Sequence, residues 1–265
     1  MRRRKPKGIL ISAAVGVLIA GAFALAGCGG GQQGADTSDA TSAAPVESSA
    51  PAEASASVEP SSAQAETSAA PAITAVDYMV LVNKQHALPA GWEEMLQSHI
   101  VTMQNSEGGD VVVEQKAYDA YLALKADLEQ EGVYIDLDSA YRTAADQQRI
   151  IDDFNEQYGE EYTRTHVALP GCSEHESGLA LDLYLIIDGK EVDENEDMER
   201  YPEIWEKIHA KLAEHGFILR YLPGKEDITG YSPEVWHIRY IDDPVIAKEI
   251  MDSGITFEEY MGVAD

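Results

Sequence analysis

Between Gln115 and Gln130, apolar side chains fall at Ala117, Tyr121, Leu124 and Leu128. That is the spacing of one helical face, and Gly132 follows where a helix would stop. The period then changes. In "VYIDLDSAYR", Val133, Ile135 and Leu137 alternate with Tyr134, Asp136 and Asp138, which predicts a strand. Ala144 to about Tyr158 returns to a helical rhythm, with Ile150, Ile151 and Phe154 on one side. "LALDLYLI" alternates again. Leu179, Leu181, Leu183 and Leu185 share one face; Ala180, Asp182 and Tyr184 share the other. Pro202 to His215 reads as a third helix, with proline in its first turn and Gly216 just past its end. "FILRY" and "VWHIRY" close the pattern as strands. Helices mixed with short strands, without a regular βαβ rhythm, predict an α+β domain: a small, mostly antiparallel sheet with flanking helices.

The first part of the chain follows a different logic. Residues 1–27 carry a basic start, "MRRRKPK", and an apolar run from Gly8 to Ala26. "LAGC", Leu25 to Cys28, resembles a bacterial lipobox, in which the preceding residues are removed and the cysteine is acylated. The alternative is an uncleaved membrane anchor, since the run is long enough to span a bilayer. Small residues directly before Cys28 favour lipidation at Cys28, and with it an extracytoplasmic lipoprotein held at the membrane. From Cys28 to residue 75 the chain is mainly Ser, Ala, Pro, Gly, Thr, Gln, Asp and Glu. Such a segment cannot bury enough apolar surface to offset chain entropy, so it is expected to be a disordered tether. As a flexible coil it would reach roughly 35 Å r.m.s.. The folded domain is expected over 76–265, long enough for one real core.

The formal charge is -28. Removing residues 1–27 takes away five basic residues and no acidic ones, which leaves the remainder near -33. A surface this acidic argues against nucleic acid, which needs clustered Lys and Arg. It suits a soluble monomer. There are two cysteines. With Cys28 acylated, Cys172 is left alone and no internal disulfide is possible.

Candidate chemistry lies in two stretches, "SEHESGLALD" (Ser173 to Asp182) and "PEVWHIRY" (Pro233 to Tyr240). A catalytic zinc takes three ligands from His, Asp, Glu or Cys and keeps one position open. It also wants a carboxylate nearby to take a proton from water. Asp182 sits mid-strand, where Asp is disfavoured; alone, it reads better as part of a solvated face. His175 precedes that strand, and Gly178 would let the chain bend so that the two converge. His237 and Arg239 share the face opposite Trp236, Ile238 and Tyr240. Glu234 is expected in the turn entering that strand, able to curl back toward His237.

Together these stretches match S-x-H-x-x-G-x-A-x-D and E-x-W-H, and "SAYRT" (Ser139 to Thr143) is similar to S-G-Y-R-[ST]. The chain thereby resembles the VanY-type D-alanyl-D-alanine carboxypeptidases, zinc peptidases of bacterial cell-wall peptides, from about Tyr78 to Tyr240. The resemblance implies one Zn2+ on His175, Asp182 and His237, with Glu234 as general base and acid. It implies that Arg142 meets the substrate carboxylate or the oxyanion, and that Ser173 contacts substrate or supports the site. Tyr141 and Gln148 are further expected pocket residues. The implied substrates are peptidoglycan stem peptides losing a terminal D-amino acid. Alternatives are an L,D-carboxypeptidase, a D,D-dipeptidase, or a catalytically silent muropeptide-binding domain. Two departures bear on pocket shape: Ala140 stands for the usual glycine, and "IDD" follows Tyr240 where Val-Gly is common. Cys172, in "CSEH", has the spacing of a fourth ligand but reads better as a small buried residue. His86, His99, His166, His209 and His215 are expected to be structural or surface residues.

Overall fold

The computed structural model describes residues 73–264. The expectations for the signal segment, for Cys28 and for the tether up to residue 72 lie outside the described residues. Seven strands are described: β1 (Ile100–Gln104), β2 (Asp110–Glu114), β3 (Ile135–Ser139), β4 (Ala180–Ile187), β5 (Lys190–Val192), β6 (Phe217–Tyr221) and β7 (Glu234–Tyr240). β1 and β2 form a separate antiparallel hairpin. The main sheet runs β3-β4-β7-β6, with β5 folded back on β4, and every pairing is antiparallel. Helices α1 (Trp92–Leu96), α2 (Gln115–Gln130), α3 (Ala144–Tyr158), α4 (Glu160–His166), α5 (Asn195–Met198), α6 (Pro202–Leu212), α7 (Glu226–Thr229), α8 (Pro244–Ser253) and α9 (Phe257–Tyr260) surround it. The expected α+β fold is what the chain adopts.

One face of the sheet meets α2 and α6. Ala117, Tyr121, Leu124 and Leu128 of α2 and Trp205, Ile208 and Leu212 of α6 share one cluster with Ile135, Leu137, Leu181, Leu183, Leu185, Leu219 and Ile238. Burying each such side chain contributes about 1.5–3 kcal/mol, so this face is the main source of stability. The opposite face is divided. Ile218 packs with Ala247 and Ile250 of α8 and Phe257 of α9. The rest of that face carries Asp182, His237 and Arg239.

Two irregularities in the pairing shape the sheet where the polar residues gather. Between Leu137 and Ser139, β3 holds one extra residue, Asp138, opposite the step from Leu183 to Asp182. On β7, Val235, Trp236 and His237 together oppose the single residue Arg220 of β6. Bulges bend a strand and re-aim its side chains. The second one brings Glu234 and His237, three residues apart, onto the same side, which regular alternation would not do.

The β1–β2 hairpin and α4 are short elements that the sequence reading leaves out; it also leaves out α8, although Asp243 caps that helix, Pro244 stands in its first turn and Gly254 follows it. The hairpin loop covers Asp136, which is buried, while Tyr134 and Asp138 on the same side of the alternation stay exposed. Likewise Ala180 and Tyr184 are buried, so β4 is covered on both faces.

Candidate metal and active site

His175 sits in a 3-10 turn, Glu174–Ser177, that ends at Gly178. Gly178 has φ 76, a left-handed conformation that favours glycine. An added Cβ there would come within 2.9 Å of a Leu96 methyl, so the position needs glycine for space as well. The turn hands the chain to β4, where Asp182 is the cross-strand partner of His237 on β7. Arg142 lies between β3 and α3. Thr143 starts that helix through a capping box with Asp146, an arrangement worth about 1 kcal/mol.

Donor atoms of His175, Asp182 and His237 all lie within 4.8 Å of one another. The ring hydrogen bonds decide which nitrogens face the cluster. His175 Nδ1–H donates to the Ala140 carbonyl at 2.7 Å, which leaves Nε2 facing Asp182 Oδ2 at 3.1 Å. His237 Nε2–H donates to Glu174 at 3.0 Å, which leaves Nδ1 facing Asp182 Oδ1 at 3.1 Å. In the neutral rings, therefore, two nitrogen lone pairs and a carboxylate converge with no hydrogen between them. Asp182 Oδ1 is buried and finds no hydrogen-bond partner of good geometry. Converging lone pairs of this kind are stable only around a cation or a proton. The donor set, two imidazoles and a carboxylate, fits a divalent transition metal such as zinc.

The electrostatics agree. Burial alone would lower the His237 pKa, but the Asp182 and Glu174 carboxylates on either side of the ring outweigh it and bring it up to about 9. Surroundings that hold a proton on the ring would equally accept a metal cation. Burial, joined by the Arg142 charge, lowers His175. Asp182 is held well below the usual carboxylate range: burial works against ionisation, and His175 and His237 overcome it. Glu234 differs. Burial pushes it up to about 7, against the pull of His237. It stands 3.5 Å from His237 Nδ1. It thus borders the cluster as a carboxylate able to change protonation state near neutrality.

Arg142 Nη2 is 3.6 Å from Asp182 Oδ2, and its buried Nε has no partner. Arg142, Ser173, Glu234, Tyr221, Tyr231 and Trp236 line one cleft with the three cluster residues. The structure thus brings together His175, Asp182, His237, Glu234, Arg142 and Ser173. It does not bring in Gln148, whose side chain is exposed and donates to Asp152 on the outside of α3. One position earlier, about 100° round the helix, Gln147 is buried, lines the cleft and donates to the Ala168 carbonyl at 2.9 Å. Tyr141 lines a neighbouring hollow with Trp92 and Glu176 instead. Cys172 is half-buried and stands outside the cluster.

Among the remaining histidines, His86 bonds Asn83, His99 the Met95 carbonyl, His209 the Val235 carbonyl and His215 Asp127. These are structural contacts. His166, stacked on Tyr162, also lines the cleft, which sequence reasoning did not anticipate. Ala140 presents its carbonyl to His175, so the departure from glycine leaves that contact intact. Asp242, in the position of the usual glycine, has φ 57 and accepts from the Tyr240 hydroxyl at 2.7 Å.

Glu174 was missed altogether. It is 3% exposed, touches a candidate ligand and receives two arginines: Arg220 Nε at 2.7 Å and Arg239 Nη1 at 2.9 Å. The signal was present as two arginines inside otherwise apolar strands, "FILRY" and "HIRY".

The family model of VanY, D-alanyl-D-alanine carboxypeptidase, matches residues 110–243. A D-alanyl-D-alanine carboxypeptidase of Enterococcus faecalis is 34% identical over 192 residues, covering 69% of this chain and 65% of that protein. The chain therefore spans just under two thirds of that relative's length. Among solved structures, the LdcB LD-carboxypeptidase superposes with a TM-score of 0.61 at 33% identity, covering 70% of this chain and 86% of that one. A mutant of the vancomycin-resistance D,D-pentapeptidase VanY, in complex with Zn(II), gives 0.56 at 31% identity over 69% of this chain and 98% of that one. With half of its length matched by the family model and its cluster laid out as described, the chain belongs to the VanY family of D-alanyl-D-alanine carboxypeptidases.

Proposed function

We propose that this chain is a zinc-dependent carboxypeptidase that removes the terminal D-amino acid from peptidoglycan stem peptides. The observation that carries the reading is the inward convergence of His175 Nε2, His237 Nδ1 and the Asp182 carboxylate, each ring held by a hydrogen bond on its far side. These three residues would hold one zinc ion, which would supply Lewis-acid activation of water and of the scissile carbonyl. Glu234 accepts the proton from the attacking water and returns it to the leaving amine, a task suited to a carboxyl poised near neutrality. Arg142 offers its planar donors to the substrate's terminal carboxylate or to the developing oxyanion. Ser173 and Gln147 form the wall beside it.

A second reading has support of its own. The neighbour with the TM-score of 0.61 is an LD-carboxypeptidase, so a cut after an L-residue is the main competitor. One experiment tests both. The purified full chain, its metal counted, is incubated with pentapeptide- and tetrapeptide-ending muropeptides, with and without chelator, and masses are read. Chelator-sensitive loss of one alanine from the pentapeptide supports the D,D reading, and loss from the tetrapeptide alone supports L,D. Loss from neither, with zinc bound, removes the enzymatic reading. Glu234→Ala is expected to retain zinc while turnover falls by about 10²–10⁴-fold. Lipidation at Cys28 and a place outside the cytoplasmic membrane belong to the same proposal. Mass analysis of the membrane fraction for an acylated Cys28 tests them.

A further inference from the structure

Behind the cleft lies a buried charged assembly that the proposed chemistry does not use. Glu174 accepts from Arg220 Nε at 2.7 Å and Arg239 Nη1 at 2.9 Å on one oxygen, and from His237 Nε2 at 3.0 Å on the other. Arg220 turns its remaining donors to Glu258 of α9, at 2.8 and 2.6 Å. Asn83 donates to the same Glu258 at 3.0 Å. Arg239 spends its last donors on the backbone carbonyls of Tyr78, Val80 and Tyr240. Both arginines are fully buried, and both carboxylates nearly so.

Two arginines and two carboxylates balance in charge, and each group is held by three or more hydrogen bonds. An assembly like this is a weak source of stability, because desolvation cancels most of the attraction. Its distinctive property is rigidity. The Glu174 carboxylate is clamped on one oxygen, so the other can point in only one direction, at His237 Nε2. An anionic acceptor there makes Nε2 the protonated nitrogen and turns Nδ1 toward Asp182.

We infer that Glu174 is a positioning residue: clamped by Arg220 and Arg239, it dictates which nitrogen His237 presents to the metal and in what orientation. The inference rests on the zinc reading above. Glu174 also borders the cleft, and the role assigned to it is exercised through the His237 ring. A carboxylate behind a ligating histidine also raises the basicity of the ligand, and losing such a partner typically weakens metal binding about 10- to 100-fold.

The test measures the zinc Kd of the full chain by competition with a chromophoric chelator, for wild type and Glu174→Gln. Folding of each metal-free form is monitored by circular dichroism. Zinc binding by wild type, weakened about 10- to 100-fold in a folded Glu174→Gln, supports the inference. A Kd unchanged in that variant overturns it and leaves the zinc reading standing. Absence of zinc binding by wild type overturns the zinc reading itself, and the inference with it. A second measurement needs no variant and covers the case in which Glu174→Gln does not fold. In the zinc-loaded wild type, the 15N shifts of His237 should report ligation through Nδ1 with Nε2 protonated. Ligation through Nε2 overturns the inference. A purely structural ion-pair cluster would shift the melting temperature without determining either readout.

Discussion

Asp136 and Asp182 sit on adjacent strands of one sheet, and both carboxyls are held below their ordinary range. Their surroundings differ completely. Asp136 meets donors: the backbone N–H of Leu137 at 2.9 Å, that of Ser106 at 2.8 Å and the Tyr121 hydroxyl at 3.0 Å, with Lys125 at 3.5 Å. Asp182 meets other acceptors, two imidazole nitrogens at 3.1 Å, and Arg142 only at 3.6 Å. The first carboxylate is satisfied by the protein itself and ties the β1–β2 hairpin to the sheet. The second is left with a demand that the protein does not meet. Buried polar groups are nearly always satisfied within the fold, so an unmet one points to something bound.

The comparison breaks most visibly by substitution. Asp182→Asn is expected to lose bound zinc and to cut turnover by at least about 100-fold, beyond what loss of a supporting partner costs. Metal analysis and turnover of the purified variant check this. Asp136→Asn should do the reverse. Turnover stays near wild type, while urea denaturation shows a loss of about 1–3 kcal/mol from donors left poorly paired.

Acid sharpens the same contrast more gently. Burial alone would raise Asp136, but the Leu137 N–H, Lys125 and Ser106 prevail, so its folded pKa lies below the unfolded value. Its contribution is therefore present above about pH 4 and fades as pH falls through the lower folded pKa. Urea midpoints taken from pH 7 down to 3 should fall for wild type and fall less for Asp136→Asn. The smallest effect belongs to Gln148→Ala. An exposed side chain bonded only to Asp152 should change stability by less than about 0.5 kcal/mol and leave turnover unaltered. A marked loss of activity there would mean that α3 turns a different face to the cleft.

Much of this was legible in the sequence, for physical reasons. Alternation of Leu179 to Leu185 revealed β4 because one face of it enters the main apolar core. His175, Asp182, His237 and Glu234 stood in motifs whose residue types are costly to bury without a task. What stayed hidden depended on contacts distant in the sequence. The burial of Asp136 is not legible in its own strand, because nothing there announces the hairpin loop that covers it. Gln147 rather than Gln148 lines the cleft, and two adjacent glutamines look alike until the helix is given an angle. Glu174 reads as an ordinary acidic residue until Arg220 and Arg239 arrive from β6 and β7.

The bulge on β7 has a further meaning for how this site can vary. Glu234 meets His237 because three residues bridge a gap that one residue of β6 spans. The site is thus specified by a length of backbone as much as by its side chains. A chain keeping every acid, base and candidate ligand but losing Val235 would have the right alphabet in the wrong frame: Glu234 would be drawn up the strand, away from His237. Insertions and deletions in this short span should be tolerated less well than most substitutions around it.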